Sequence, residues 1–420
     1  MIEEINGKTK AGKHLSELLV NAYVDIHTKA AKGAFVVWGA IIVPAEIFRG
    51  FENMVFCAPE SHSATCAAKG VGGAQCLKAE SLGYSTDLCA YARIDIGCLS
   101  DGCKESPTMG LPKPHLLVSN TNNCSLLVKW FDIHHRNMNI PHFILDVPFC
   151  YGQQREKDLQ YILNQFKDLI DTLEKLSGQK FNKDKFYEAA AYSASAVMDW
   201  KRFLKCAEHR PSGITVFDSF VQMAPFLLVR GTPELAEHYK ILADETEENV
   251  NKGIFPVPDE KYRLLWDNIA PWHQLRKMSK RLAGMSANIV AAPYTLCIGA
   301  VEGSYDLLSF EQNDDPLWYF ARIQNHSVCP QGMDLRISAM GTIIEKLGID
   351  GVVFASNRSC KVFSVMQMDE QRRISEKYGI PSIMIDVDHA DVRKFSEESV
   401  YIRLEALLES IDAGRARAST

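Results

Sequence analysis

The 420-residue chain has no apolar run approaching the length of a membrane span and no low-complexity segment, so neither a membrane-spanning nor a disordered protein is expected. It also lacks a clustered basic face. With a formal net charge of -6, it offers nothing that nucleic-acid phosphates would select. No signal-peptide pattern opens the chain, since Met1-Ile2-Glu3-Glu4 is acidic and no apolar h-region follows. A cytoplasmic location is the expectation, and the twelve cysteines then read as metal-binding or catalytic ahead of disulfides. No full phosphate-loop fingerprint is present either. Lys69-Gly70-Val71-Gly72-Gly73 reads as a turn between helical pieces.

What is present is one pattern written twice. Gly351-Val352-Val353-Phe354-Ala355 reads as a buried strand, followed by the polar turn Ser356-Asn357-Arg358-Ser359 and a helix from Cys360 to Gly379. A second strand follows, from Pro381 to Asp386. Earlier, His115-Leu116-Leu117-Val118 leads through Asn122-Asn123 to Cys124, a helix, and Ile140 to Asp146. Side chains just past the carboxyl ends of parallel strands face the crevice where ligands bind, which places Cys124 and Cys360 at matching positions. A pair of small buried thiols is the plain alternative.

Length points to two or three domains. The apolar stripe Leu15, Leu18, Leu19, Ala22, Tyr23 and Ile26 marks an N-terminal helix in residues 1–33, read as a lid or docking arm. Residues 34–155 read as a first α/β domain, with Glu46 in the first turn of a helix and Cys57-Ala58-Pro59-Glu60-Ser61-His62 as a polar loop after a strand. From Glu156 the spacing is helical, with few strand signals until Asn288. A mostly helical domain is therefore expected over 156–285 and a second α/β domain over 286–420. The fold class is α/β, with two Rossmann-like parallel-sheet domains.

Cys89 follows a turn in the same way as Cys124 and Cys360, and no compact motif such as C-x-x-C joins the three. Three thiolates on a four-iron cluster leave one iron without protein sulfur, and an open iron acts as a Lewis acid. A zinc with an open position is the competing reading. Cys98 and Cys103 form a close pair, read as a metal site or as ordinary thiols.

Tyr84 to Arg93, Asn122-Asn123-Cys124 with Lys129-Trp130, Asn357 to Lys361, and Asp388 to Phe395 resemble the α subunit of ATP-activated (R)-2-hydroxyacyl-CoA dehydratases, from about Leu15 to Ser410. The wider family includes the ATP-dependent benzoyl-CoA reductases, to which Arg230-Gly231-Thr232 and Leu111-Pro112-Lys113-Pro114 look closer. The resemblance implies a [4Fe-4S] cluster on Cys89, Cys124 and Cys360, an acyl-CoA thioester substrate, a homologous second subunit in a heterodimer, and a separate ATP-dependent iron-sulfur activator. It also implies Glu60 as catalytic carboxylate, with His62 beside it donating to the cluster or capping a turn. Cys329 competes as third ligand, but Cys360 mirrors Cys124. One departure is Ile41, which stands where the dehydratases usually carry a serine that helps hold the substrate hydroxyl. An electron-transfer or cluster-storage protein is the reading from another class.

Overall fold

The computed structural model describes residues 9–296, 315–326 and 332–418. Among the described residues eight strands form two sheets: β1 (Phe35–Gly39), β2 (Met54–Cys57), β3 (Leu116–Asn120) and β4 (His142–Leu145) in one, β5 (Tyr262–Asp267), β6 (Ala287–Ala291), β7 (Gly351–Asn357) and β8 (Ser382–Val387) in the other. The orders are β2-β1-β3-β4 and β6-β5-β7-β8, every pair parallel. The two sheets share one topology. Central strands covered on both faces need continuous apolar sequence, and β1, β3, β5 and β7 supply it: Val37, Leu117, Leu264 and Val353 are each 0% exposed.

The α/β class with two parallel sheets stands as expected, but several details differ. β5 falls inside 156–285, the stretch expected to be mostly helical. Tyr262-Arg263-Leu264-Leu265-Trp266-Asp267 carries charges that mask its strand character. Arg263 is nevertheless buried, because its guanidinium donates to Glu260 and to the carbonyls of His209, Leu347 and Ala207. The helices between the sheets are shared out between two cores. Lys183–Lys205 gives Phe186 and Ala190 to the core of the first sheet and Trp200, Phe203 and Leu204 to that of the second.

The N-terminal helix Lys10–Ala31 is packed down instead of standing free as an arm. Leu15, Leu18, Ala22 and Ile26 are buried, and Glu245 accepts the Lys10 and Ala11 N–H groups at 2.8 Å. Ala11 joins the core of the second sheet and Ile26 that of the first, so the helix straps the two together. The single helix expected from Cys360 to Gly379 is two, Lys361–Ser364 and Gln367–Tyr378, ending at Gly379 in the left-handed conformation that glycine tolerates. No helix among the described residues is long and apolar enough to cross a membrane.

Candidate active site

In each sheet the chain reverses its direction of winding between the first and third strands, β1 and β3 or β5 and β7. At such switch points the carboxyl ends of neighbouring strands open a crevice. Here the two crevices contribute to one cavity of about 150 Å3. Ile41 and Ile42 enter it from beyond β1, Cys124 from beyond β3, Ile269 and Trp272 from beyond β5, and Cys360 from beyond β7. Glu60 and His389 follow β2 and β8 into the same space.

Cys89, Cys124 and Cys360 all line this cavity, and each is the N-cap of a helix: Ala90–Ser100, Ser125–Met138 and Lys361–Ser364. Cys124 Sγ accepts the Leu127 N–H at 3.4 Å. First-turn N–H groups of Tyr91 and Ala92 pull the Cys89 pKa down, and that of Phe363 does the same at Cys360. Burial works against them more strongly. It raises Cys89 well above the ordinary thiol range, with the Cys360 and Cys124 charges adding to the rise, and it pushes Cys360 up to about 12. Cys124 is raised by burial as well. Three thiolates that repel one another in a desolvated space need a multivalent cation to hold them ionised. The other free cysteines among the described residues, Cys57, Cys66, Cys76, Cys150 and Cys206, are buried, whereas these three keep exposed surface toward the cavity.

Glu60 is 5% exposed and sits in the first turn of the helix Pro59–Ala68. The loop expected there is this helix: Pro59 at its first position and the acid behind it are N-terminal signals. Glu60 Oε1 accepts the Ile41 N–H at 3.1 Å, while buried Oε2 has no hydrogen-bond partner. Burial raises its pKa from the usual 4.5 to about 7, against the backbone hydrogen bonds that lower it, with the charge of Asp95 adding to the rise. A carboxyl poised there gives or takes a proton near neutrality. The carbonyl of Ile41 accepts from Arg230 Nη2 at 3.1 Å, so one residue, Ile41, stands between Arg230 and Glu60 through its two flanking peptide groups.

His62 does not face the cavity. It is buried two residues beyond Glu60 on the same helix, with Nε2 2.9 Å from Ser106 Oγ and Nδ1 4.0 Å from Asp95 Oδ1. Asp95 in turn holds His134 and the Trp130 N–H, an interior polar network. Cys98 and Cys103 form a disulfide, correcting both readings of that pair. Gly102 and Cys103 both take positive φ in the turn between them, which brings the two Cα atoms to 4.4 Å. Cys329 lies outside the described residues.

Four lining residues carry no role that their sequence context alone assigns. His389 is fully buried, with Nε2 3.7 Å from Cys89 Sγ and Nδ1 3.2 Å from Asn357 Oδ1. A signal for it exists: it follows a strand end as Cys124 and Cys360 do. Tyr91 stacks edge-on to His389 with ring centres 4.4 Å apart, and its hydroxyl accepts the Trp272 indole N–H. Glu46, by sequence a dipole-favoured acid, is 1% exposed and lines the cavity.

A two-lobed α/β enzyme subunit with a thiol-lined cavity between its switch points is the class that fold and site define. A family model described as 2-hydroxyglutaryl-CoA dehydratase, D-component, matches residues 40–411, and the chain belongs to that family. It is 32% identical to the (R)-phenyllactyl-CoA dehydratase alpha subunit of Clostridium sporogenes, covering 96% of each chain. Identity to the lactoyl-CoA dehydratase alpha subunit of Anaerotignum propionicum is 30%, over 97% of this chain and 98% of the other. A benzoyl-CoA reductase subunit of Thauera aromatica is 29% identical over 87% of this chain and 86% of its own length.

Proposed function

We propose that this chain is the iron-sulfur catalytic subunit of a cytoplasmic (R)-2-hydroxyacyl-CoA dehydratase, a lyase that removes water from an acyl-CoA thioester. The observation that carries the reading is that Cys89, Cys124 and Cys360, distant in sequence, line one cavity together with Glu60. The donor set suits a [4Fe-4S] cluster. Three cysteine thiols lining one desolvated cavity are the ligand type that iron-sulfur clusters take. Cys89, Cys124 and Cys360 would hold the cluster, which when bound would supply one-electron chemistry and Lewis acidity beside the substrate.

The chain's own residues do the rest. The helix caps orient the three thiols, and aligned first-turn N–H groups favour their ionised form. Glu60, which lines the cavity and is fixed through Oε1 by the Ile41 N–H, handles the β proton. Apolar walls, including Ile41, Ile42, Leu126 and Phe363, exclude water and so limit stray proton transfer during the reaction. His62, turned away from the cavity, is left a structural part. The electron comes one at a time from a separate ATP-hydrolysing iron-sulfur activator, and a homologous second subunit completes a heterodimer. The alpha-subunit names of the relatives support that partner.

The test is an anaerobic assay of the complex with activator, ATP and thioester. Water loss without net electron consumption supports the dehydratase. Dearomatisation of an aryl thioester with stoichiometric electron use supports the reductase instead, which the apolar Ile41 in the serine position favours.

A further inference from the structure

Four side chains that the reaction does not use gather where the helices Pro59–Ala68 and Ala90–Ser100 pack together. His62 and Cys66 stand four residues apart on the first helix, which puts them on one face. Cys98 lies in the last turn of the second helix, and Cys103, bonded to it, follows in the turn beyond. All four are buried, and none lines the cavity. His62 Nε2 is 3.5 Å from Cys66 Sγ and 3.8 Å from Cys98 Sγ.

Those two separations are close to the edge of a tetrahedral zinc shell, where bonds of about 2.0 Å to nitrogen and about 2.3 Å to sulfur set the two atoms about 3.6 Å apart. The other ring nitrogen fits the same reading. A metal-bound histidine turns its second N–H toward a carboxylate, and Nδ1, buried without a hydrogen-bond partner, lies 4.0 Å from Asp95 Oδ1. Ser106 Oγ, 2.9 Å from Nε2, engages that nitrogen in the present state. While the Cys98–Cys103 bond stands, its sulfurs ligate nothing, and no group of three or more His, Cys, Asp or Glu among the described residues is set for a metal ion. A dithiol reductant changes that. Two electrons and two protons pass to Cys98 and Cys103, the S–S bond breaks, and the reductant leaves as its own disulfide. A divalent cation entering then displaces the protons of three thiols.

We propose that His62, Cys66, Cys98 and Cys103 form a closed zinc site in the reduced protein, and that the Cys98–Cys103 disulfide is its oxidised, metal-free form. A site with four protein ligands and no open position is structural. The helix Ala90–Ser100 has Cys89 as its N-cap and Cys98 in its last turn, so the zinc anchors the far end of the element that carries a cavity thiol. The proposal is independent of what the cavity binds.

The experiment is metal analysis of the full chain, purified without oxygen, reduced with dithiothreitol, incubated with Zn2+ and freed of loosely held metal. About one zinc per chain, in addition to any iron, is expected in the wild type and also in Cys124→Ser, which lacks a cavity thiol. Cys66→Ser should weaken zinc binding by at least about tenfold, the loss that removing even an outer-sphere partner causes. Oxidised wild type, its Cys98–Cys103 bond verified by mass spectrometry, should bind none. Zinc-edge X-ray absorption on the reduced wild type needs no variant, and should show three sulfurs at about 2.3 Å and one imidazole nitrogen at about 2.0 Å. A reduced protein that takes up no zinc overturns the proposal. So does zinc kept by Cys66→Ser and lost with Cys124→Ser, or zinc bound equally well with the disulfide intact.

Discussion

Replacing Glu60 with glutamine removes one ionisation and almost no volume, so its effects trace to the proton. Glu60 Oε1 accepts the Ile41 N–H and buried Oε2 has no hydrogen-bond partner, so burial raises the pKa from 4.5 to about 7 against the backbone hydrogen bonds that lower it. The neutral form therefore favours the fold. Its contribution is full below pH 4.5, where folded and unfolded chains are both protonated, and is lost as pH rises through 7. The gap between the two values corresponds to about 3 kcal/mol. Between pH 5 and pH 8 the wild type should lose up to about that much stability relative to Glu60→Gln, read as a fall in the difference between their denaturation midpoints. In turnover the same substitution should lower kcat/KM by about 10²- to 10⁴-fold and abolish the limb of the pH profile near 7. A variant that keeps both the limb and the rate would show that another group moves the proton and that Glu60 is a structural acid.

Three further outcomes follow from the same geometry. His62→Gln should leave kcat/KM within a few-fold while lowering stability by about 1–3 kcal/mol, because it disturbs the Asp95 network and touches nothing in the cavity; a loss as large as that of Glu60→Gln would return His62 to the site. Arg336→Met should destabilise by about 3–5 kcal/mol in thermal unfolding, since it leaves the buried carboxylates of Asp267 and Glu370 facing each other without their cation. A midpoint unmoved by that change would mean that one of the acids is protonated in the fold. Cys206→Ser, a buried thiol remote from the cavity lining, should keep any bound iron, measured by anaerobic iron analysis.

The parts of this molecule that the sequence discloses are those where local chemistry and topology agree. Cys124 and Cys360 are legible because strand, polar turn and helix start recur around each, and parallel sheets put such caps at the crevice. Cys89 is legible only as a thiol after a turn; its place beside the others depends on contacts between the lobes. Glu60 stands out in the sequence, but its surroundings do not, because a ten-residue helix of low amphipathicity, Pro-Glu-Ser-His-Ser-Ala-Thr-Cys-Ala-Ala, resembles a polar loop when its burial is unknown. β5 escapes for the same reason in reverse: Arg263 looks exposed until its carbonyl partners, brought from two other segments, are in place. Glu46 belongs to the stretch 34–155 and Arg230 to the stretch 156–285, so no window of sequence contains their pairing.

The most direct measurement is iron and acid-labile sulfide on the anaerobically purified protein and on its Cys89→Ser, Cys124→Ser and Cys360→Ser variants. About four irons and about four sulfides per chain in the wild type, falling in each of the three variants with the cluster absorbance, is the predicted result. Iron content unchanged by Cys360→Ser, or a single zinc in place of iron, would contradict it.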